Sequence, residues 1–321
     1  MPLHAVDVDR FQAFRPRLEA LAYRLLGSAS EAEDAVQDTY LRWQAADTER
    51  IEVPEAWLTK VLTNLCLNQL TSARARRETY VGQWLPEPLL AGDPMLGPAP
   101  GGPADTAERH ESVTYAVLTV LERLSPNERA VYVLREAFDY PHREIAEILD
   151  LTEAASQQIL HRAKKRVADG KARTEIDEAT ARRIVEEFLA AATSGRTEPL
   201  IRLLTEDAIA IGDGGGKVPA RAKAFEGAVA VATFLRGLFK PAEAKRKLIG
   251  GAPDIHLTTA NGAPAVVAVV DGRVVGVMCL EITAEGITAV RSQVNPDKLE
   301  RATRQWAATD HGDPLFRALQ P

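Results

Sequence analysis

Along the first 78 residues, apolar positions recur every three or four places, the spacing of one face of an α-helix. Phe11, Phe14, Leu18, Leu21 and Leu25 form one such stripe, and Gly27 stops it. Ser30 and Glu33 then read as a capping box, with Ser30 as N-cap and the glutamate reaching back to its amide. The helix that follows puts Ala32, Val36, Tyr40 and Trp43 on one face, and Asp34, Asp38 and Arg42 on another. A polar stretch, 44–53, ends at Pro54. Beyond it, 57–77 again has a helical period.

The pattern breaks between 78 and 105, where six Pro and five Gly in 28 positions exclude a long helix or strand. This is a linker, yet Tyr80, Trp84, Leu85, Leu89 and Leu90 are too apolar for a solvated spacer, and a Trp there is expected to dock on something. Helices resume from 109 to 173. Ser125-Pro126-Asn127-Glu128 is a second capping box, with Pro where its missing N–H costs nothing. Its helix should run to about Ala137. Helices over 142–149 and 153–167, joined by Asp150-Leu151-Thr152, have the helix-turn-helix outline. Ile145, Ala146, Leu149, Leu151 and Ile159 pack the two together, while Ser156, Gln157, His161, Arg162 and Lys165 should project outward.

The last third changes period. Helices are expected over 179–192, 200–204 and 229–239. Strands follow over 255–260, 265–270, 273–282 and 287–294. Asn261-Gly262 and Asp271-Gly272 separate the first three, and both are strong hairpin turns. Helices followed by an antiparallel meander predict an α+β domain whose sheet curls around an apolar interior. Residues 304–321 read as a loose tail.

Composition sharpens this only in places. The chain has 321 residues, 45% hydrophobic and 26% charged, which favours an ordinary globular protein of two or three domains. No apolar run approaches the ~20 residues of a spanning helix, and no secretion signal opens the chain, so no membrane association and a cytoplasmic location are expected. Cys66 and Cys279 read as reduced core residues. The net charge of −6 disfavours nucleic-acid binding. Its distribution does not: 161–173 holds six Arg/Lys against one Asp, and Arg74, Arg76 and Arg77 form a second knot.

Gln157 suits an adenine edge, and Arg162 and Lys165 suit phosphate. Trp57, Lys60, Asn64 and the three arginines suit melted DNA, where bases stack and phosphates are neutralised. A solvated helix end would also account for that set. The five segments Tyr23–Gly27, 32–40, Ala56-Trp57-Leu58 with Asn64 and Arg74, 124–126 and 161–164 come in the order found in bacterial sigma factors. They resemble regions 2 and 4 of the extracytoplasmic-function group. The linker phrase 80–88, Asp213-Gly214-Gly215-Gly216-Lys217 and Asn295-Pro296-Asp297-Lys298-Leu299 are similar to those of the SigJ-type subgroup, in which a SnoaL-like domain is fused behind region 4.

That resemblance implies two all-α sigma-factor domains plus an α+β SnoaL-like cone with a curved antiparallel sheet. Region 2 is expected over 1–78, a linker over 79–108, region 4 over 109–175, a regulatory domain over 176–303 and the tail over 304–321. The implied partners are core RNA polymerase and promoter DNA. Asp34, Gln37, Asp38, Leu41 and Arg42 would dock on the clamp of the largest subunit, and region 4 on the flap. Trp57, Lys60, Asn64, Arg74, Arg76 and Arg77 would serve the minus-ten element. Thr152, Ala155, Ser156, Gln157, His161, Arg162 and Lys165 would serve the minus-35 element. Gln157 stands where the subgroup commonly has Arg or Lys.

Tyr80, Trp84 and Pro86 are expected to meet the 213–217 and 295–299 motifs, which are also expected to contact region 2, so that the C-terminal domain controls the chain in place of a separate anti-sigma factor. No enzyme activity, metal or cofactor is called for. Two alternatives stay open: a helix-turn-helix repressor, and a fused enzyme or sensor for a small hydrophobic molecule in the cone. For an enzyme, His256 with Asp254, Asp213 or Asp271 is the acid/base set available. No Tyr follows Tyr140 to serve an oxyanion.

Overall fold

In the computed structural model, residues 5–78, 80–97, 114–168 and 177–319 are described. They form two compact units. One contains the residues up to 79 and from 92 to 171, the other Tyr80–Ala91 and Ala172–Pro321.

The first unit is helical. Helices α1 (Ala5–Leu26), α2 (Ala29–Ala45) and α3 (Pro54–Glu78) bury the expected stripes, with Leu18, Leu21, Leu25, Val36 and Trp43 at 1% exposure or less. The Trp43 indole N–H donates to the Asp7 carbonyl at 3.1 Å, and its ring lies 5.5 Å from that of Trp57. One expectation is corrected. The N-cap of α2 is Ser28, whose Oγ accepts from Glu31 N, because the helix begins at Ala29, two residues earlier than a cap at Ser30 would start it.

Next come α4 (Tyr115–Leu121), α5 (Pro126–Tyr132), a π-helical turn over Val133–Ala137, α6 (His142–Leu149) and α7 (Glu153–Ala168). Both halves of the Ser125/Glu128 capping box form, as expected. Asp150 closes α6 in the left-handed region (φ 54°), turning the chain into α7. Buried Arg129 ties α5 to α1, donating from Nε to the Arg24 carbonyl at 3.3 Å and pairing with Glu122.

The second unit is α+β. Helices α8 (Glu178–Thr193), α9 (Glu198–Leu203), α10 (Ala228–Phe239) and α11 (Glu243–Ile249) accompany a seven-stranded sheet. Its strands are β1 (Leu204–Asp213), β2 (Phe225–Glu226), β3 (Asp254–Ala260), β4 (Ala263–Val270), β5 (Arg273–Thr283), β6 (Gly286–Gln293) and β7 (Phe316–Arg317), in the order β2-β1-β6-β5-β4-β3-β7. Asn261 (φ 50°) and Asp271 (φ 48°) take the left-handed conformation that their two hairpins demand.

Two expectations change here. The sheet is mixed, because β1 pairs parallel to β6. The tail is not loose. Helix α12 (Glu300–Ala307) packs Trp306 inward, β7 pairs with β3, and Ala318 and Leu319 join the apolar core with Phe188, Leu235 and Val290. No helix among the described residues is long and apolar enough to cross a membrane. Cys66 and Cys279 are buried free thiols.

The cap on α5 has a consequence for pH. Burial pushes the Glu128 carboxyl up, but the Ser125 amide and hydroxyl and the Arg166 guanidinium outweigh it and hold the group below its usual 4.5. A lowered folded-state value stabilises the protein above the unfolded value and is lost as pH falls. Glu128→Gln is therefore expected to lower stability by about 1 kcal/mol at pH 7. The difference from wild type should begin to shrink as pH falls below about 4.5 and disappear only once pH has passed below the lowered folded-state value, read by urea titrations across that range.

Candidate nucleic-acid interface and linker clamp

The surface of α2 carries Asp34, Gln37, Asp38, Leu41 and Arg42, all exposed and within eight or nine positions of one another. Leu41, at 52%, is the most exposed large apolar side chain on that helix. On α3, Trp57, Lys60 and Asn64 are half-buried on one side, four residues or fewer apart. Arg74, Arg76 and Arg77 lie in the last turns of α3, and their side chains fall outside the described ones. Lys60 is not free: its Nζ donates to the Asp150 carboxylate and the Glu147 carbonyl, each at 2.7 Å. The minus-ten candidate thus grips the turn of the helix-turn-helix. The pair is solvent-exposed, so it is worth ~1 kcal/mol at most.

On α7, Thr152, Gln157, His161, Arg162 and Lys165 are exposed and Ala155 is half-exposed. Ser156 is corrected: it is fully buried, with its Oγ 2.9 Å from His142 Nδ1, and braces α7 on α6. It faces inward because α7 packs Ser156, Leu160, Ala163 and Val167 in the three- and four-residue steps of one helical stripe.

The second unit is organised around Asp213, the last residue of β1. The carboxylate has no exposure and accepts five hydrogen bonds. The donors are Tyr80 Oη (2.6 Å), Leu85 N (2.9 Å), Gly215 N (3.0 Å), Gln293 Nε2 (3.2 Å) and Lys298 Nζ (2.7 Å). Lys298 also donates to the Leu85 carbonyl at 2.7 Å and sits 4.1 Å above the Trp84 ring. Asn295 Nδ2 donates to Tyr80 Oη at 3.0 Å. Burial and the Asp213 carboxylate together raise the Tyr80 phenol far above its ordinary value, so it stays a donor.

The glycines are needed where they stand. A Cβ on Gly214 would lie 1.9 Å from the Val218 carbonyl oxygen, and one on Gly215 (φ 59°) would lie 2.3 Å from the Asn295 amide. Lys217 pairs with Asp297 at 2.6 Å outside this core, and Pro86 is buried within it. The expected contacts of Tyr80, Trp84 and Pro86 with the two motifs are thus brought together.

Other residues of the clamp were not foreseen. Leu89 N donates to Asn261 Oδ1 at 3.0 Å and Asn261 N returns a bond to the Leu89 carbonyl at 2.9 Å. Gln305 Nε2 donates to the Leu90 and Ala91 carbonyls at 3.0 and 2.8 Å. Asn261 was legible only as a hairpin residue, and nothing in the sequence marks Gln293 or Gln305. The result is a strap, residues 80–91, laid on the C-terminal domain.

Two of the acid/base candidates for a fused enzyme have basic partners of their own. Asp213 is spent in the clamp, and Asp254 holds Arg317 through two bonds of 2.7 and 2.8 Å. His256 turns its ring edge to Trp306, 4.9 Å away.

Comparison with known proteins places the chain in a family. Residues 10–76 match the family model for Sigma-70 region 2, and 115–167 that for Sigma-70 region 4. The ECF RNA polymerase sigma factor SigJ of Mycobacterium tuberculosis (strain H37Rv) is 39% identical over 234 residues, 73% of each chain. The chain belongs to the extracytoplasmic-function RNA polymerase sigma factors. A probable member of this family from the same species, SigI, is 30% identical over 299 residues, covering 90% of this chain and 93% of its own. The crystal structure of M. tuberculosis SigJ superposes with a TM-score of 0.68 at 33% identity, over 91% of this chain and 97% of that one. Like other sigma factors, this one binds core RNA polymerase and promoter DNA to start transcription. The family also removes the repressor alternative, which left region 2 without a task.

The clamp makes a sharp prediction. Asp213→Asn removes the carboxylate from a buried ion pair with Lys298, and truncating one partner of such a pair costs about 3–5 kcal/mol. Chemical denaturation followed by far-UV circular dichroism should register that loss in the second unit. The emission of Trp84 should also lose its Lys298 neighbour and shift.

Proposed function

We propose that the C-terminal domain controls this sigma factor in cis by holding the strap 80–91, which lies in sequence between region 2 and region 4. The observation that carries the reading is the buried Asp213 carboxylate, two of whose five donors, Tyr80 and Leu85, come from the strap. A fixed strap shortens the chain available between the two DNA-binding domains. It therefore bears on how far apart they can be placed on a promoter.

Within this reading, Asp34, Gln37, Asp38, Leu41 and Arg42 dock on the clamp of the polymerase's largest subunit, and region 4 on the flap. Exposure of all five on one helix supports this. Trp57, Lys60 and Asn64, with Arg74, Arg76 and Arg77, take the minus-ten element, and Lys60 exchanges Asp150 for phosphate as it does so. Thr152, Ala155, Gln157, His161, Arg162 and Lys165 take the minus-35 element in the major groove, with Ser156 serving to brace the helix. The protein acts in the cytoplasm, and the C-terminal domain works as a regulator and not as an enzyme. The engagement of Asp213 and Asp254 by basic partners supports the last point.

Run-off transcription with core polymerase and the full chain tests the strap. The double variant Tyr80→Phe/Trp84→Ala removes one donor to Asp213 and the ring under Lys298 while leaving the buried ion pair intact. It is expected to change transcript yield more than about threefold with core binding unchanged. Arg162→Ala, which removes a phosphate contact, serves as the comparison: promoter affinity falls and the salt slope drops by about one. Equal yield from the strap variant and wild type would contradict the reading.

A further inference from the structure

A cavity of about 440 Å³ opens into the C-terminal domain between the sheet and helices α10 and α11. That size lies within the range of small-molecule sites, roughly 300–1,000 Å³. Its floor is one face of the sheet, where Val266 pairs with Met278 and Met278 with Ser292 across three adjacent strands. Leu238 and Leu248 line it from the helices and remain 36% and 49% exposed, so apolar surface borders the opening.

Two polar side chains define what such a cavity can take. Ser292 is 7% exposed, and its Oγ is buried without a hydrogen-bond partner. A buried hydroxyl left unpaired is costly, and such a group in a native structure calls for an explanation. Lys245, the one charged residue on the wall, cannot serve an anion. Its ammonium already donates to three carbonyls, those of Gly237, Leu238 (3.1 Å) and Lys240 (2.9 Å), at the end of α10. His256 does not contribute either. It neighbours Ile255, which faces the cavity, so strand alternation turns it to the opposite face, where Trp306 meets it.

We propose that this cavity binds a neutral, largely apolar small molecule carrying one hydrogen-bonding oxygen, seated with that oxygen on Ser292 Oγ. The site deepens the regulatory reading of the C-terminal domain. Ser292 and Gln293 are consecutive on β6, one facing the cavity and the other bonded to Asp213 and the strap.

Binding is read on the full chain without polymerase or DNA, so its failure would leave the strap reading untouched. The probe is prodan, a neutral naphthalene ketone whose emission moves to the blue in apolar surroundings; pyrene, which has no oxygen, is the comparison. Prodan should bind saturably with a blue shift, and Ala268→Phe, which fills the cavity, should abolish binding of both probes. Ser292→Ala should weaken prodan about three- to tenfold, the worth of one neutral hydrogen bond, and leave pyrene unchanged. Because it deletes an unpaired hydroxyl, Ser292→Ala should melt no lower than wild type, which keeps the test valid even if Ala268→Phe does not fold. Unsaturable uptake of prodan would overturn the proposal. So would a Ser292→Ala variant that binds prodan as tightly as wild type or loses both probes equally.

Discussion

A carboxylate removed from water must be fully paired or it destabilises the fold that holds it. Asp213 meets that demand with one ammonium and four neutral donors, drawn from three segments far apart in sequence. Tyr80 and Leu85 come from the strap, Gly215 from the loop after β1, and Gln293 and Lys298 from the end of β6 and the turn beyond it. The strap, the glycine loop and the 295–299 turn therefore meet at a single buried charge. The rest of the C-terminal architecture brings these segments to one place. The parallel pairing of β1 with β6 puts Asp213 directly opposite Gln293.

The proposed link between this chemistry and transcription rests on the chain's connectivity. Residues 79–114 separate α3 from α4, and twelve of them, 80–91, are built into the other unit. On the proposed regulatory reading, loosening or tightening the clamp would alter the tether between regions 2 and 4. The cavity and the clamp share strand β6, so the proposed ligand would reach the clamp through Ser292 and Gln293.

Much of this was legible in the sequence where the cause is local. Helical stripes, the Ser125/Glu128 box, and the Asn-Gly and Asp-Gly hairpins depend on residues within a few positions of one another, and they formed as read. The glycines of 213–217, read in the sequence as part of a family motif, are explained by the Val218 carbonyl and the Asn295 amide, which Cβ atoms on Gly214 and Gly215 would strike. What escaped depends on distant partners. Strand β1 carries only small apolar residues, Ala208 and Ala210, at its central buried positions, and its parallel neighbour lies some eighty residues on. Helix α11 reads as a polar stretch. The tail carries few apolar residues, and its place was fixed by the free edge of β3 and by room for Leu319 in the core. Ser156 looked like a DNA contact because its neighbours are exposed; one helical step of packing, and His142, set it inside.

The central claim is that the strap is structural in the resting protein, so the most direct measurement is native-state hydrogen exchange at the Leu85, Leu89 and Ala91 amides, compared with those of β5 and β6. The three donate to Asp213, Asn261 and the Thr259 carbonyl. If the clamp is an all-or-none part of the C-terminal fold, they exchange with the same opening free energy as the sheet. Exchange orders of magnitude faster than the sheet, as in a solvated linker, would contradict the account.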